Sequence, residues 1–188
     1  MKAYDAVVFY TTGELPISEA DRKNLMAWVK SGRGFAGIHS ATDTFYQWPE
    51  YGEMIGGYFD NHPWHEEVVV KVEDRTSPAT RHLTAPAWTV TDEIYQFRNW
   101  DRTKCRVLMT VDTTSVDLNK KGVKRADKDF GIAWVKRYGK GRVFMNSLGH
   151  NNEVWDRKDI QQVWLEGIKW AMGLVGRRYD PAAEACEL

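Results

Sequence analysis

Histidines and a carboxylate near the ends of predicted strands are the residues of this chain best suited to chemistry. His39 directly follows the apolar segment at residues 34–38, and His150 comes soon after the apolar segment at residues 142–146. Both segments are short and rich in β-formers, so each is predicted to be a strand. Ligands of open α/β sheets bind beyond the carboxyl ends of the strands, so both histidines are expected at that edge. With a carboxylate, two imidazoles suit general acid–base work or metal binding.

The candidate carboxylate comes from two adjacent acidic residues in an apolar segment. Asp92 and Glu93 lie within residues 88–97, which are predicted to form a strand. Side chains alternate along a strand, so the two carboxylates point to opposite faces, and one of them points inward or into a cleft. A buried carboxylate must be hydrogen-bonded, paired or bound to a metal. The alternative is a glutamate at the strand edge that is exposed to water.

A compact histidine pair offers a second possible ligand set. His62 and His65 flank Pro63 and Trp64, and the proline excludes an ordinary helix interior, so a loop is expected to present both rings. Two histidines three residues apart can bind a divalent metal, but metal sites usually have three protein ligands. A divalent metal at His62 and His65 and a structural or solvated role for the pair therefore both stay open.

The remaining motifs give little support for a nucleophile or a nucleotide site. Residues 37–41 resemble the turn that presents a nucleophile in hydrolases, but a histidine is at its centre and Ser40 is one place late. Cys105 and Cys186 are far from this turn in sequence, and no C-x-x-C motif suggests zinc. The glycine-containing turn at residues 138–141 lacks the sequence of a phosphate loop, so no nucleotide cofactor is expected.

Composition and charge restrict the class of protein. The 188 residues include 26 Lys and Arg and 26 Asp and Glu, so no net field attracts nucleic acid or an anionic membrane. The apolar share of 43% suits one globular domain, and no apolar run is long enough to cross a bilayer. Two cysteines without a disulfide pattern favour a reducing, cytoplasmic setting. Nine tryptophans supply core packing, although sugar-binding clefts also use exposed indole faces.

The apolar patterns predict alternating strands and helices, and hence an α/β fold. Strands are predicted at residues 5–10, 34–39, 67–73, 88–97, 106–111, 130–135 and 142–146, and helices after Ser18, near residues 49–56 and at residues 156–173. The first strand–helix–strand unit implies parallel strands joined by a right-handed crossover. Residues 40–65 are predicted to be largely loop. One domain is predicted over residues 1–176, followed by a loosely held tail at residues 177–188.

Several segments, in this order, resemble the ThuA-like (trehalose-utilisation) family. They are residues 4–43 with the turn G-I-H-S-A, residues 48–74, TDEIYQF at residues 91–97, IAWVKRYGKGRVFMNSLGH at residues 132–150, and W-A-M-G at residues 170–173. The resemblance implies a flavodoxin-like, class I glutamine amidotransferase-like three-layer sandwich with a mainly parallel sheet. His39 then occupies the position of the amidotransferase cysteine, and His150 resembles its later histidine. Glutamine hydrolysis through a thiolate is not expected, because the nucleophile is absent.

The resemblance also implies a substrate class. Family members are linked to the catabolism of trehalose and related disaccharides, and they look like partners of oxidoreductases that make 3-keto sugars. Isomerisation or glycosidic cleavage of such a sugar, with or without a metal, needs a base near the acidic carbon and an electrophile on the carbonyl oxygen. The predicted catalytic residues are His39, Glu93 and His150. The predicted sugar-binding residues are Asp43, Trp48, Tyr95 and His65, and the metal ligands would be His62 and His65.

Two other functions stay open at this point. The first is a non-catalytic carbohydrate-binding or interaction module with the same fold, and the second is a hydrolase that uses Ser40. If His39, Glu93 and His150 converge around a concave site, the enzyme (a keto-sugar isomerase, lyase or hydrolase) is favoured. If their side chains diverge, the binding module is favoured.

The start of the chain differs from the family pattern. Family chains usually have a further strand, helix and strand before residues 4–10, so the resemblance implies an N-terminally shortened sheet with an exposed inner edge. Either the sequence is a fragment, or it starts late, or another chain covers that edge, in which case a homo-oligomer is expected. The expected ligand is a small sugar, and neither a nucleic acid nor a membrane is expected as a partner.

Overall fold

Seven strands and four helices make up the part of the chain that the computed structural model describes, which is residues 3–176 and residue 179. The strands are β1 (Ala6–Phe9), β2 (Gly34–Ile38), β3 (Tyr58–Val72), β4 (Ala87–Arg98), β5 (Arg106–Val111), β6 (Gly131–Tyr138) and β7 (Gly141–Asn146). The helices are α1 (Glu19–Lys30), α2 (Pro49–Ile55), α3 (Asn152–Trp155) and α4 (Lys158–Ala171). Short 3-10 segments occur at His39–Asp43, Arg102–Lys104 and Thr113–Ser115.

All seven strands belong to one sheet, in the order β1-β2-β7-β6-β5-β3-β4. The β1–β2 and β2–β7 pairs are parallel, and the other four neighbouring pairs are antiparallel. The sheet is therefore mixed, which corrects the prediction of a mainly parallel sheet. For one of the four antiparallel pairs the reason is local: β6 and β7 are joined by a tight turn at residues 138–141, and such short connections permit only antiparallel pairing.

Helices cover both faces of the sheet, as predicted for a three-layer α/β sandwich. Phe35, Val143 and Met145 pack in the core on the side of α1 and α2. Their strand neighbours Ala36 and Phe144 pack in the other core, on the side of α4. This alternation is what a strand buried on both faces produces.

The β3–β4 pair is a long two-stranded ribbon that extends beyond the rest of the sheet. β3 pairs with β5 only at residues 70–72, whereas residues 58–71 pair with β4. The register shifts twice between Phe59 and Trp64, which indicates bulges in β3. Because the other side of this stretch has no strand neighbour in the described sheet, Pro63 is tolerated there. β3 therefore begins at Tyr58, within the stretch predicted to be loop.

One residue of the predicted tail is attached to the domain. The Tyr179 hydroxyl donates to Asp74 Oδ2 at 2.6 Å, and the Arg106 guanidinium lies over the Tyr179 ring, 4.8 Å from its centroid. The other residues of the predicted tail lie outside the described part of the chain. Within that part, every helix is too short or too polar to cross a membrane.

Candidate functional site

His39 is presented at the carboxyl end of β2 by an unusual backbone conformation. It is the first residue of the 3-10 segment and has φ 44°, in the left-handed region that residues other than glycine rarely adopt. Its Nδ1 lies 2.8 Å from the Ser147 carbonyl oxygen. A carbonyl only accepts, so Nδ1 carries the hydrogen and Nε2 of the neutral ring is an acceptor.

The other nitrogen of His39 meets a tyrosine on β4. The Tyr95 hydroxyl lies 3.0 Å from His39 Nε2 and, given the tautomer, donates to it. Burial, the largest influence, lowers the pKa of His39 below its usual value, although the Ser147 carbonyl, Asp92 and Glu93 act in the opposite direction. The imidazole is therefore neutral at pH 7. Burial and the nearby Glu93 raise the pKa of Tyr95.

Glu93 is the centre of a cluster of imidazoles. Its carboxylate oxygens lie 3.5 Å from His39 Nε2, 3.3 Å from His62 Nδ1 and 3.1 Å from His150 Nδ1. The side chains of His39 and Glu93 are 4% and 11% exposed, whereas those of His62 and His150 are 46% and 44% exposed. The cluster thus runs from a buried imidazole, through the carboxylate, to two imidazoles that reach solvent. We call these four residues the Glu93 cluster.

Asp92 holds the loop that carries His150. Its carboxylate accepts from the backbone N–H groups of Gly149 (2.7 Å), His150 (3.1 Å) and Asn151 (2.9 Å). Asp92 is fully buried, and these three donors satisfy its charge. Because side chains alternate along β4, the two adjacent acidic residues point in opposite directions. Asp92 anchors the loop, and Glu93 faces the imidazoles.

Of the predicted metal pair, His62 belongs to the Glu93 cluster and His65 lies beside it. His62 stacks on Phe59, with 5.8 Å between ring centroids, and faces Glu93. His65 Nε2 lies 3.0 Å from Asn151 Oδ1, and its ring lies 5.2 Å from that of His150. Among the described residues, one group of histidines and acids has donor atoms that all lie within 4.8 Å of one another: His39, Glu93 and His150.

The predicted sugar-binding residues differ in whether they contact the Glu93 cluster. Tyr95 contacts His39 directly. Asp43 is close enough to raise the pKa of Tyr95, and it accepts from the hydroxyls of Thr12 and Tyr46. Trp48, in contrast, has its ring contacts with Phe45 and Tyr51, away from the cluster, so it packs beside α2.

The described cysteine is not part of the site. Cys105 immediately precedes β5, and its thiol contacts the backbone oxygens of Asp101 and Arg102. Burial raises the pKa of this thiol to about 12, so it is protonated at neutral pH. Cys186 lies outside the described residues.

Two aromatic residues beside the cluster were not singled out from the sequence. Tyr10 follows β1, and its ring centroid lies 6.0 Å from that of His39. Trp155, at the end of α3, lies 5.4 Å from Tyr10. The two residues are 145 positions apart, and nothing in the sequence indicates that they meet. In the structure, Trp155 differs from the other eight tryptophans in being exposed.

A family model and two solved structures that resemble most of this chain all carry the name ThuA or ThuA-like. The family model for ThuA, described as trehalose utilisation, matches residues 1–171. A ThuA-like protein from Bacteroides uniformis is 23% identical with a TM-score of 0.73, covering 95% of this chain and 73% of that one. A ThuA-like protein from Parabacteroides merdae is 21% identical with a TM-score of 0.70, covering 91% and 71%. A cytoplasmic protein from Salmonella typhimurium is 12% identical with a TM-score of 0.60, covering 90% and 72%. A comparison with curated proteins gives no match.

Proposed function

The chain belongs to the ThuA family, described as trehalose utilisation, and from this premise we propose that it isomerises or cleaves the 3-keto derivatives of trehalose-like disaccharides in the cytoplasm. The observation that carries the proposal is the position of one shielded carboxylate, Glu93, among the imidazoles of His39, His62 and His150. A base with several proton carriers beside it is what enolisation of a ketone needs.

Glu93 is the proposed base. In a 3-keto sugar the hydrogen on C2 is acidic, because the electron pair left behind delocalises onto the carbonyl oxygen. Glu93 takes this proton and an enediolate forms. The two solvent-reaching imidazoles, His62 and His150, are the proposed donors to the enediolate oxygen. His39 fixes the Tyr95 hydroxyl beside the same carboxylate.

The product depends on where the electron pair goes next. If the C2 hydroxyl gives its proton to an imidazole and a proton is delivered to C3, the former carbonyl carbon, the ketone has moved from C3 to C2 and the sugar is isomerised. If the C1–O bond breaks instead, the pair forms a C1=C2 double bond, and His150 donates a proton to the departing oxygen. The second sugar is then released as an alcohol. Both routes leave Glu93 to return its proton to solvent or product.

The donor set also fits a divalent metal. His39 Nε2, His150 Nδ1 and a Glu93 oxygen are nitrogen and carboxylate donors of the kind that zinc and similar ions take, and three protein ligands are typical of catalytic sites. The Ser147 carbonyl fixes the tautomer that leaves Nε2 of His39 free of hydrogen, as outer partners of metal ligands do. When bound, the ion would polarise the ketone. This proposal replaces the pair His62 and His65 by His39, Glu93 and His150 as ligands.

Turnover of 3-keto-trehalose in D₂O, followed by NMR, tests the acid–base proposal, because exchange of the C2 hydrogen is visible even without net product. We expect the wild type to be active. Glu93→Gln keeps the shape of the side chain and removes the base, so kcat should fall about 10²–10⁴-fold. The matched control is Glu67→Gln, which neutralises an exposed carboxylate of the same ribbon. Sugar binding without exchange or product would leave the binding-module alternative.

Elemental analysis and Co²⁺ titration followed by absorbance test the metal proposal independently of activity. We expect one ion per chain, lost in Glu93→Gln and His150→Asn. His82→Asn is the control, because that ring lies against the Asp159 carbonyl. Tyr95→Phe removes the hydroxyl that occupies His39 Nε2 and should bind Co²⁺ at least as tightly as the wild type. Absence of Co²⁺ binding by the wild type would refute the metal proposal and leave the acid–base proposal standing.

A further inference from the structure

Two large aromatic side chains lie exposed beside the Glu93 cluster. Tyr10 is 49% exposed and Trp155 is 40% exposed, and their ring centroids are 5.4 Å apart with an interplanar angle of 86°. Trp155 is the one tryptophan of the nine in the chain that is exposed. An exposed indole does not contribute the free energy that burial of its apolar surface would provide. We call this pair the aromatic platform.

Both rings of the platform are held in place by the same acceptor. The Tyr10 hydroxyl and the Trp155 Nε1–H donate to the Gly149 carbonyl oxygen, at 3.1 Å and 2.8 Å. Trp155 also packs on the buried Trp164, with 4.5 Å between ring centroids. Both polar groups of the platform therefore donate within the protein, and the rest of each ring is apolar. Rings that are already fixed lose little conformational freedom when a ligand binds.

The platform is continuous with the proposed catalytic residues. The Tyr10 ring centroid lies 6.0 Å from that of His39, and Gly149 directly precedes His150. Asp92 holds this loop through three backbone N–H groups, so the platform and His150 share one support. A ligand that rests on the platform consequently lies next to Glu93, and its polar groups can reach the imidazoles.

We propose that the aromatic platform binds the second, non-reacting ring of the disaccharide, while the keto ring lies at Glu93. A pyranose ring presents C–H groups on one face, and their slight positive charge suits the negative face of an aromatic ring. Its hydroxyls project from the rim and stay hydrated or meet polar side chains. Sugar sites combine apolar walls with a few polar groups in this way. The inference rests on the proposed function, because it takes Glu93 as the place of reaction.

Binding and turnover of paired ligands test the platform. Trp155→Ala removes the indole, Trp155→Phe keeps an aromatic ring, and Leu165→Ala is the control at a similarly exposed apolar residue on α4. For trehalose, measured by calorimetry or ligand-observed NMR, Trp155→Ala should raise Kd at least tenfold, and Trp155→Phe by less. For 3-keto-glucose, which has the reacting ring and lacks the second one, the two variants should match the wild type. With 3-keto-trehalose, Trp155→Ala should raise KM more than it lowers kcat.

The outcomes separate this inference from the proposed function. If the wild type turns over 3-keto-trehalose and Trp155→Ala has an unchanged KM and trehalose Kd, the platform is not a sugar subsite, and the proposed reaction stands. If the wild type binds trehalose through Trp155 but exchanges no C2 hydrogen, the subsite stands and the reaction is wrong. Equal weakening of 3-keto-glucose and trehalose binding would refute the assignment to the second ring. Failure of the wild type to bind trehalose would refute the platform as well.

Discussion

At the scale of single residues, His39 combines backbone strain with a buried imidazole, and both features limit what can replace it. Its φ of 44° costs of order 1 kcal/mol in a residue other than glycine. Asparagine tolerates this left-handed conformation better than alanine does. His39→Asn therefore removes the imidazole with little added strain, and it is the variant in which a loss of function reports on the ring.

The neutral state of His39 predicts a specific pH dependence of stability. Burial lowers the pKa of His39 in the folded protein below its unfolded value of about 6.5. Between the folded pKa and about 6.5, the unfolded chain binds more protons, so the free energy of unfolding rises with pH there, by up to about 1.4 kcal/mol per unit. Above that window this contribution is constant. Urea unfolding of the wild type and His39→Asn at a series of pH values should show this part of the slope in the wild type alone.

An NMR titration of His39 checks the cause directly. The Cε1–H signal that disappears in His39→Asn should titrate below pH 6.5 in the folded wild type. A midpoint at or above 6.5, or an equal pH slope of stability in the two proteins, would contradict the assignment of a neutral, desolvated ring. Either result would also remove the reason to treat Nε2 as an acceptor from Tyr95.

At the scale of elements, the loop between β7 and α3 depends on a single carboxylate. Asp92 accepts from three consecutive backbone N–H groups, those of Gly149, His150 and Asn151. Asp92→Ala leaves these donors without their charged partner, so the free energy of unfolding should fall by about 2–3 kcal/mol, as measured by urea denaturation. The His150 side chain should also lose its fixed position, which appears as broadened NMR signals.

A surface aspartate provides the matched control for this loop. Asp112 also accepts backbone and hydroxyl hydrogens, from Thr114, but in an exposed turn. Asp112→Ala should therefore cause a much smaller loss of stability than Asp92→Ala. If the two variants unfold at the same urea concentration, the loop does not depend on Asp92 in the way argued.

The strands and helices also show which parts of the fold can be predicted from apolar sequence patterns. Regular apolar patterns predicted β5 at residues 106–111 and placed a helix at residues 49–56, where α2 spans Pro49–Ile55. The beginning of β3 could not be predicted, because Pro63 and two bulges break the alternation on which strand prediction relies. Local periodicity carries no information about the pairing of β3 with β4, which begins fifteen residues after β3 ends.

The candidate site was predictable where it follows strand ends. His39, Glu93 and His150 could be grouped from their positions on predicted strands, and the structure brings them together. The anchoring role of Asp92 and the contact of Tyr10 with Trp155 depend on the three-dimensional path of the loop after β7, which no local pattern encodes. Trp48 shows the converse, since an aromatic residue near the site in sequence packs beside α2 instead.

At the scale of the whole molecule, the site lies where two parts of the sheet meet. The parallel part, β1-β2-β7, supplies His39 at the end of β2 and His150 after β7. The antiparallel β3–β4 ribbon supplies His62 and Glu93. Neither part contains the complete Glu93 cluster, so the activity proposed for this chain requires the sheet to be continuous from β1 to β4.

The edge of the sheet leads to a prediction about assembly. β1 pairs with β2 on one side, and in the described sheet its other side is open, with Val8 47% exposed. An open edge with an exposed apolar residue is a template for another strand, so we expect two copies of the chain to pair along β1. Val8→Lys should shift this equilibrium towards the monomer, as measured by sedimentation equilibrium over a range of concentrations. Leu165→Lys, at a residue 48% exposed on α4, is the control and should leave the equilibrium unchanged. A wild type that stays monomeric at every concentration, or a dimer that both variants weaken equally, would show that the β1 edge is not the contact between copies.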